Sequence, residues 1–167
     1  KCRYLVEYDL TSPSYCLMVQ VDKGLAVSLW NIPDNKVQSL FQVKKSNSGA
    51  NCVKWNPTRD GYFALGTNEG YIILFNSKTK SRSFLKSNTE TSVVDLQWDH
   101  LSSIYLLVAY QNYISLWDTE TQNEIHVFEQ QGARITSISW MNWAAGNFIS
   151  TNALTGVIKI WNASQKQ

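Results

Sequence analysis

Apolar and variable positions alternate along the chain in short segments that recur at a nearly constant interval. The last of these, Val157-Ile158-Lys159-Ile160-Trp161-Asn162, has counterparts ending Leu29-Trp30-Asn31, Leu74-Phe75-Asn76 and Leu116-Trp117-Asp118. The aromatic slots at 30, 75, 117 and 161 lie 45, 42 and 44 residues apart, which marks an internal repeat. The residue before the slot is always aliphatic (Leu29, Leu74, Leu116, Ile160), and so is the residue three before it (Val27, Ile72, Ile114, Ile158). Between them Ser28, Ile73, Ser115 and Lys159 differ. Recurrence at alternate positions is the period of a strand, not of a helix.

About twenty residues upstream of each slot sits a second one: Tyr8, Trp55, Trp98 and Trp140, preceded two positions earlier by Val6, Val53, Leu96 and Ile138. A third apolar run lies between the two slots in every copy: Tyr15 to Val21, Tyr62 to Leu65, Ile104 to Ala109 and Phe148 to Thr151. It joins the next strand through Lys23-Gly24, Glu69-Gly70, Gln111-Asn112 and Thr155-Gly156. Glycine or asparagine there is expected to supply the positive φ of a tight hairpin. A fourth strand follows a polar turn at Val37 to Val43, Ser83 to Lys86 and Glu124 to Phe128, and none follows Trp161. The unit is a four-stranded antiparallel meander whose length matches a propeller blade rather than a helical solenoid. The predicted fold is all-β, with units at about 1–44, 45–87, 88–130 and 131–162 and the last lacking its outer strand.

Four registered copies with an aromatic followed by Asp or Asn make the whole chain resemble the WD40-repeat β-propeller family. Trp30-Asn31, Trp117-Asp118 and Trp161-Asn162 match its Trp-Asp position, and Phe75-Asn76 does so more loosely. Trp55-Asn56-Pro57 with Asp60-Gly61 resembles its turn after the first strand. The family's Gly-His pair and hairpin Asp are missing, since the positions six before each slot read Gly24, Glu69, Gln111 and Thr155. Such repeats are expected to rely on apolar stacking, at about 25 cal/mol per Å² buried, more than on a polar network.

The resemblance implies a non-catalytic scaffold for other proteins in a multiprotein assembly. It binds through the rim made by the loops into the first strands and the hairpins between second and third strands. Here that rim holds Lys23, Lys44, Lys45, Asn68, Glu90, Tyr110, Arg134 and Leu154. Trp143, in the turn on the opposite rim, either folds back onto its own unit or presents a contact there.

Composition narrows the alternatives. At 44% hydrophobic and 13% aromatic, the chain can build a sizeable core. A formal charge of +2 lacks the concentrated positive field of a nucleic-acid binder. Cys2, Cys16 and Cys52 have no metal-ligand spacing and read as reduced thiols. No apolar run spans a bilayer, and the reading is an intracellular, cytoplasmic protein. His100 and His126 fall in a turn and an outer strand, Cys52 lacks a nearby charge, and no phosphate loop is present, so no catalytic group, metal or cofactor is expected. Asp118, Glu120 and Glu124 cluster in a turn, where solvation explains them as well as calcium would. The run Lys78, Lys80, Arg82 and Lys86 reads as a solvated edge or, in the rival reading, as a site with Lys44 and Lys45 for an anionic ligand such as phosphoinositide or nucleic acid.

Four units with one strand missing are too few for the ring that this family closes, so the remaining blades are expected in the same, longer chain. An isolated 167-residue piece is expected to oligomerise or precipitate through its two uncovered faces. A sharp monomeric peak in size-exclusion chromatography with cooperative melting would contradict this.

Overall fold

The computed structural model describes residues 3–21, 24–43, 49–88, 91–129 and 134–164. Fifteen strands and no helix occur among them: β1 (Tyr4–Tyr8), β2 (Tyr15–Gln20), β3 (Leu25–Asn31), β4 (Lys36–Val43), β5 (Ala50–Trp55), β6 (Tyr62–Thr67), β7 (Tyr71–Asn76), β8 (Arg82–Lys86), β9 (Val93–Trp98), β10 (Tyr105–Tyr110), β11 (Tyr113–Asp118), β12 (Asn123–Glu129), β13 (Ile135–Trp140), β14 (Asn147–Asn152) and β15 (Ile158–Asn162). They form four antiparallel meanders, β1 to β4, β5 to β8, β9 to β12 and β13 to β15, the last with three strands among the described residues. No strand belongs to two sheets, and no sheet closes on itself.

The two aromatic slots of each unit are in register across the second strand. Tyr8 pairs with Cys16 and Cys16 with Trp30. The corresponding rows are Trp55, Phe63 and Phe75; Trp98, Leu106 and Trp117; and Trp140, Phe148 and Trp161. Rings in these rows touch: Trp55 meets Phe63 edge-on at 5.2 Å, and Phe148 stacks with Trp161 at 6.1 Å. A fixed face of each sheet therefore carries one aromatic stripe.

Successive sheets pack through their first strands, with β1 against β5, β5 against β9 and β9 against β13. Three apolar clusters fill the three junctions. The central sheets are buried on both faces, which is why β6, β7, β10 and β11 are almost continuously apolar. The terminal sheets cover one face only: Tyr4, Val6 and Tyr8 on β1 are 52, 59 and 55% exposed, and Ile158 and Ile160 on β15 are 61 and 69% exposed.

Each junction carries one repeated hydrogen bond. The Trp55 indole Nε1 donates to the Glu7 carbonyl at 3.2 Å, Trp98 to Lys54 at 3.0 Å and Trp140 to Gln97 at 3.2 Å. Donor and acceptor occupy the same places each time: the first-strand aromatic of one sheet, and the residue before it on the preceding sheet.

The Asp or Asn after each third-strand aromatic caps the turn that follows. Asn31 Oδ1 accepts from Asp34 N, Asn76 Oδ1 from Lys78 N and Thr79 N, Asp118 Oδ1 from Glu120 N and Thr121 N, and Asn162 Oδ1 from Ser164 N. These bonds hold the Asp118 carboxyl below the usual carboxylate range, the Thr121 amide contributing most. The same turn puts Asn35, Lys80 and Gln122 at φ 50°, 60° and 58°, each five residues after its aromatic slot.

Positive φ in the hairpins holds for Gly24, Gly70 and Gly156 but not for Asn112. The Gln111-Asn112 hairpin closes instead on Tyr110 and Tyr113, whose rings stack at 4.5 Å.

Gly66 lies where β6 meets β9, and an added Cβ would sit 2.4 Å from Val93 Cγ1 and 2.7 Å from Cys52 Sγ. Gly66→Ala is expected to lower the unfolding free energy by about 1–3 kcal/mol in urea denaturation, through overpacking. An unchanged midpoint would contradict this close approach.

Candidate functional site

The antiparallel topology puts the starts of the first strands and the hairpins between second and third strands on one rim. Of the rim residues expected from sequence, Lys23, Lys44, Lys45 and Glu90 lie outside the described residues. The other four are placed as follows. Asn68 is exposed, and its Oδ1 accepts from Gly49 N at 3.0 Å while its backbone N–H donates to Gly49 O at 3.0 Å, so it ties the β6–β7 hairpin to the start of β5. Arg134 is exposed, and its carbonyl accepts from Ala153 N at 2.9 Å, which brings it beside the β14–β15 hairpin tip where Leu154 is 78% exposed.

Tyr110 does not reach the rim surface, which corrects the sequence expectation. It is fully buried in the junction between the second and third sheets, because the hairpin turns its ring inward onto Tyr113. Burial pushes its hydroxyl far above the usual phenol range; the group lies near Ser115 and the Trp117 indole without a well-formed hydrogen bond. Tyr113 OH donates to Ser87 Oγ at 3.1 Å, and Ser87 Oγ donates to Glu124 Oε1 at 3.1 Å.

On the opposite rim Trp143 is 83% exposed, so it does not fold back onto its own sheet. Leu10 and Leu101 on that rim are 84 and 66% exposed. A cleft of about 310 Å³ there is lined by Leu10, Trp55, Trp98, Trp140 and His100 among others. Its Glu7 carboxyl is pushed up by burial, opposed by Lys54 at 3.3 Å. Periodicity cannot foretell such a cleft, because its walls come from separate sheets.

The residues considered for chemistry are dispersed. His100 follows β9 and His126 lies in β12, the two opposite edges of one sheet. His126 packs edge-on against Phe128 at 4.4 Å. Asp118 caps its turn, Glu120 lies 3.8 Å from Arg59, and Glu124 accepts from Ser87. Among the described residues no three His, Cys, Asp or Glu side chains come together as a metal site. The basic run is largely engaged: Lys78 pairs with Asp60, Arg82 lies over Phe41 and Phe84, and Lys86 lies over Tyr71. The indoles keep polar partners that were not assigned from sequence, Trp117 donating to Ser115 Oγ at 2.7 Å and Trp161 to Ser150 Oγ at 2.9 Å. No helix among the described residues is long and apolar enough to cross a membrane.

Repeated four-stranded meanders packed through their first strands define a β-propeller type of repeat protein. The profile of the family described as "Anaphase-promoting complex subunit 4 WD40 domain" matches residues 53–145, more than half of the chain. The chain belongs to the WD40-repeat family. It is similar to the "Anaphase-promoting complex subunit cdc20" of Dictyostelium discoideum, at 24% identity over 87% of this chain and 38% of that protein. It is also similar to the "Histone-binding protein MSI1" of Saccharomyces cerevisiae, at 26% over 83% of this chain and 35% of that protein. With the "Protein transport protein SEC31" of Chaetomium globosum the figures are 28% over 66% of this chain and 9% of that protein. The chain thus spans well under two thirds of the length of these relatives.

Burial pushes the thiols of Cys16 and Cys52 up, and the negative charge of Asp95 pushes Cys52 further. In the folded protein at neutral pH, iodoacetamide is expected to leave both unmodified, with full alkylation after guanidinium unfolding. Rapid native alkylation of Cys52, read by peptide mass spectrometry, would contradict a structural thiol.

Proposed function

We propose that this chain is a non-catalytic, intracellular and cytoplasmic scaffold that recognises other proteins within a multiprotein assembly. The observation that supports this most directly is the placement of Arg134 beside the hairpin tip carrying Leu154, a cation and an exposed apolar side chain held by backbone hydrogen bonds on one rim. Arginine is enriched at the anchoring positions of protein interfaces, and an exposed apolar side chain beside it adds surface to bury. Two of the relatives are an anaphase-promoting complex subunit and a histone-binding protein, one a member of an assembly and the other a binder of a protein partner.

The exposed apolar faces of β1 and β15 support further blades of the same, longer chain as the first neighbours of this one. Leu96-Gln97-Trp98-Asp99-His100-Leu101-Ser102-Ser103, running into Leu106-Leu107-Val108, resembles a stretch of WD repeat-containing protein seventeen. On that resemblance the chain belongs to the N-terminal propeller region of a protein with tandem propellers.

Crosslinking mass spectrometry on the full-length protein is expected to place partner crosslinks on this rim, surviving a rise from low to moderate salt. Arg134→Ala with Leu154→Ala is expected to weaken partner capture by about tenfold, the effect of losing about 1.4 kcal/mol at an anchor. Binding lost steeply with salt and unaffected by the double variant would turn the reading toward an anionic ligand.

A further inference from the structure

We propose that the groove between the first and second sheets docks an acidic peptide segment of a partner protein, one that inserts a single large apolar side chain; this rests on the protein-recognition reading above. The groove is a cavity of about 230 Å³ with an apolar floor of Leu25, Val43 and Ile73 and a rim of Tyr71 and Phe84. Leu25 and Ile73 are 2 and 3% exposed, so the floor belongs to the packed junction, whereas Phe84 is 51% exposed. The Tyr71 end is fixed, since Thr67 Oγ1 donates to Tyr71 O at 3.0 Å and accepts from Tyr71 N at 3.0 Å.

Charge selects the occupant. Arg82 sits 5.1 Å over the Phe84 ring and Lys86 5.0 Å over the Tyr71 ring, so the two rim aromatics each carry an exposed cation. Glu69, at the hairpin tip, also lines the groove, and the cations stand on its β8 side. A segment with an apolar residue between carboxylates satisfies floor and rim together. A phosphate backbone or a membrane surface does not use the apolar floor. The groove also lies along β8, the outer strand of its sheet, which has no strand on its far side among the described residues. An extended peptide can therefore lie beside it.

The test is fluorescence polarisation with the full-length protein and the labelled peptide Asp-Asp-Leu-Asp-Asp. Replacing the leucine by serine, or all aspartates by asparagine, is expected to weaken binding about tenfold. Phe84→Ser, and separately Arg82→Glu with Lys86→Glu, are expected to do the same, while melting curves report that the exposed positions leave the fold intact. If Phe84→Ser unfolds the protein, the charge-reversal variant decides. Equal binding of the serine peptide, unchanged binding in the folded variants, or binding only of phosphatidylserine-containing vesicles or of a single-stranded oligonucleotide overturns the proposal. Partner crosslinks on the rim that persist in these variants leave the scaffold reading standing while the groove falls.

Discussion

The arrangement depends on the indole N–H that crosses each sheet junction. A single meander of this chain has two faces and can satisfy neither in water, so the sheets must stack, and stacking buries the first-strand tryptophans. A buried indole N–H without an acceptor costs about 1–3 kcal/mol. Trp55, Trp98 and Trp140 each avoid that cost with the carbonyl before the aromatic slot of the preceding sheet. This repeated bond helps set how far each sheet is displaced along its neighbour, together with cross-junction contacts such as those of Asn51 and Asp95 and the apolar clusters. The slot on β1, in the first sheet among the described residues, holds Tyr8 and is more than half exposed.

Strands, their order and the repeat were legible in the sequence because burial imposes side-chain alternation directly. Val27 and Leu29 share one face of β3, and Ile114 and Leu116 one face of β11, with the residue between them on the other face, and two faces buried at once made β6 and β10 near-continuous apolar runs. The turn-capping role of Asn31, Asn76, Asp118 and Asn162 was half visible, as a residue preference without its geometry. What depends on the meeting of sheets was not legible. Tyr110 sits at a hairpin end, where periodicity points to the rim, yet its ring turns into a junction that only the neighbouring sheet creates. The left-handed conformations of Lys80 and Gln122 were hidden for a different reason: neither residue type favours them, and the turn set by the preceding Asp or Asn imposes them.

The family's buried His and Asp partners are absent, yet the third-strand indoles are not left to packing alone. Trp161 uses Ser150 on the adjacent strand, and Trp117 uses Ser115 two residues back on its own strand. Two different hydroxyls therefore solve the same desolvation problem. Where a tryptophan fills this slot and is buried, the requirement is an acceptor within reach of Nε1, and Phe75 in the second unit has no N–H to satisfy. Degeneracy in the motif does not by itself mean a looser blade.

This has a consequence for where recognition can occur. Polar groups inside the junctions are mostly committed: Asn51 donates to Ser92 and to the Val93 carbonyl, and Asp95 accepts from Ser137 and the Ile138 amide. Any partner reaching for them would have to break a sheet-to-sheet contact first. The exposed groups whose loss leaves the stack intact are those at strand ends and outer edges, such as Leu154, Trp143 and Phe84. Sequence change there is free to alter binding without altering the fold.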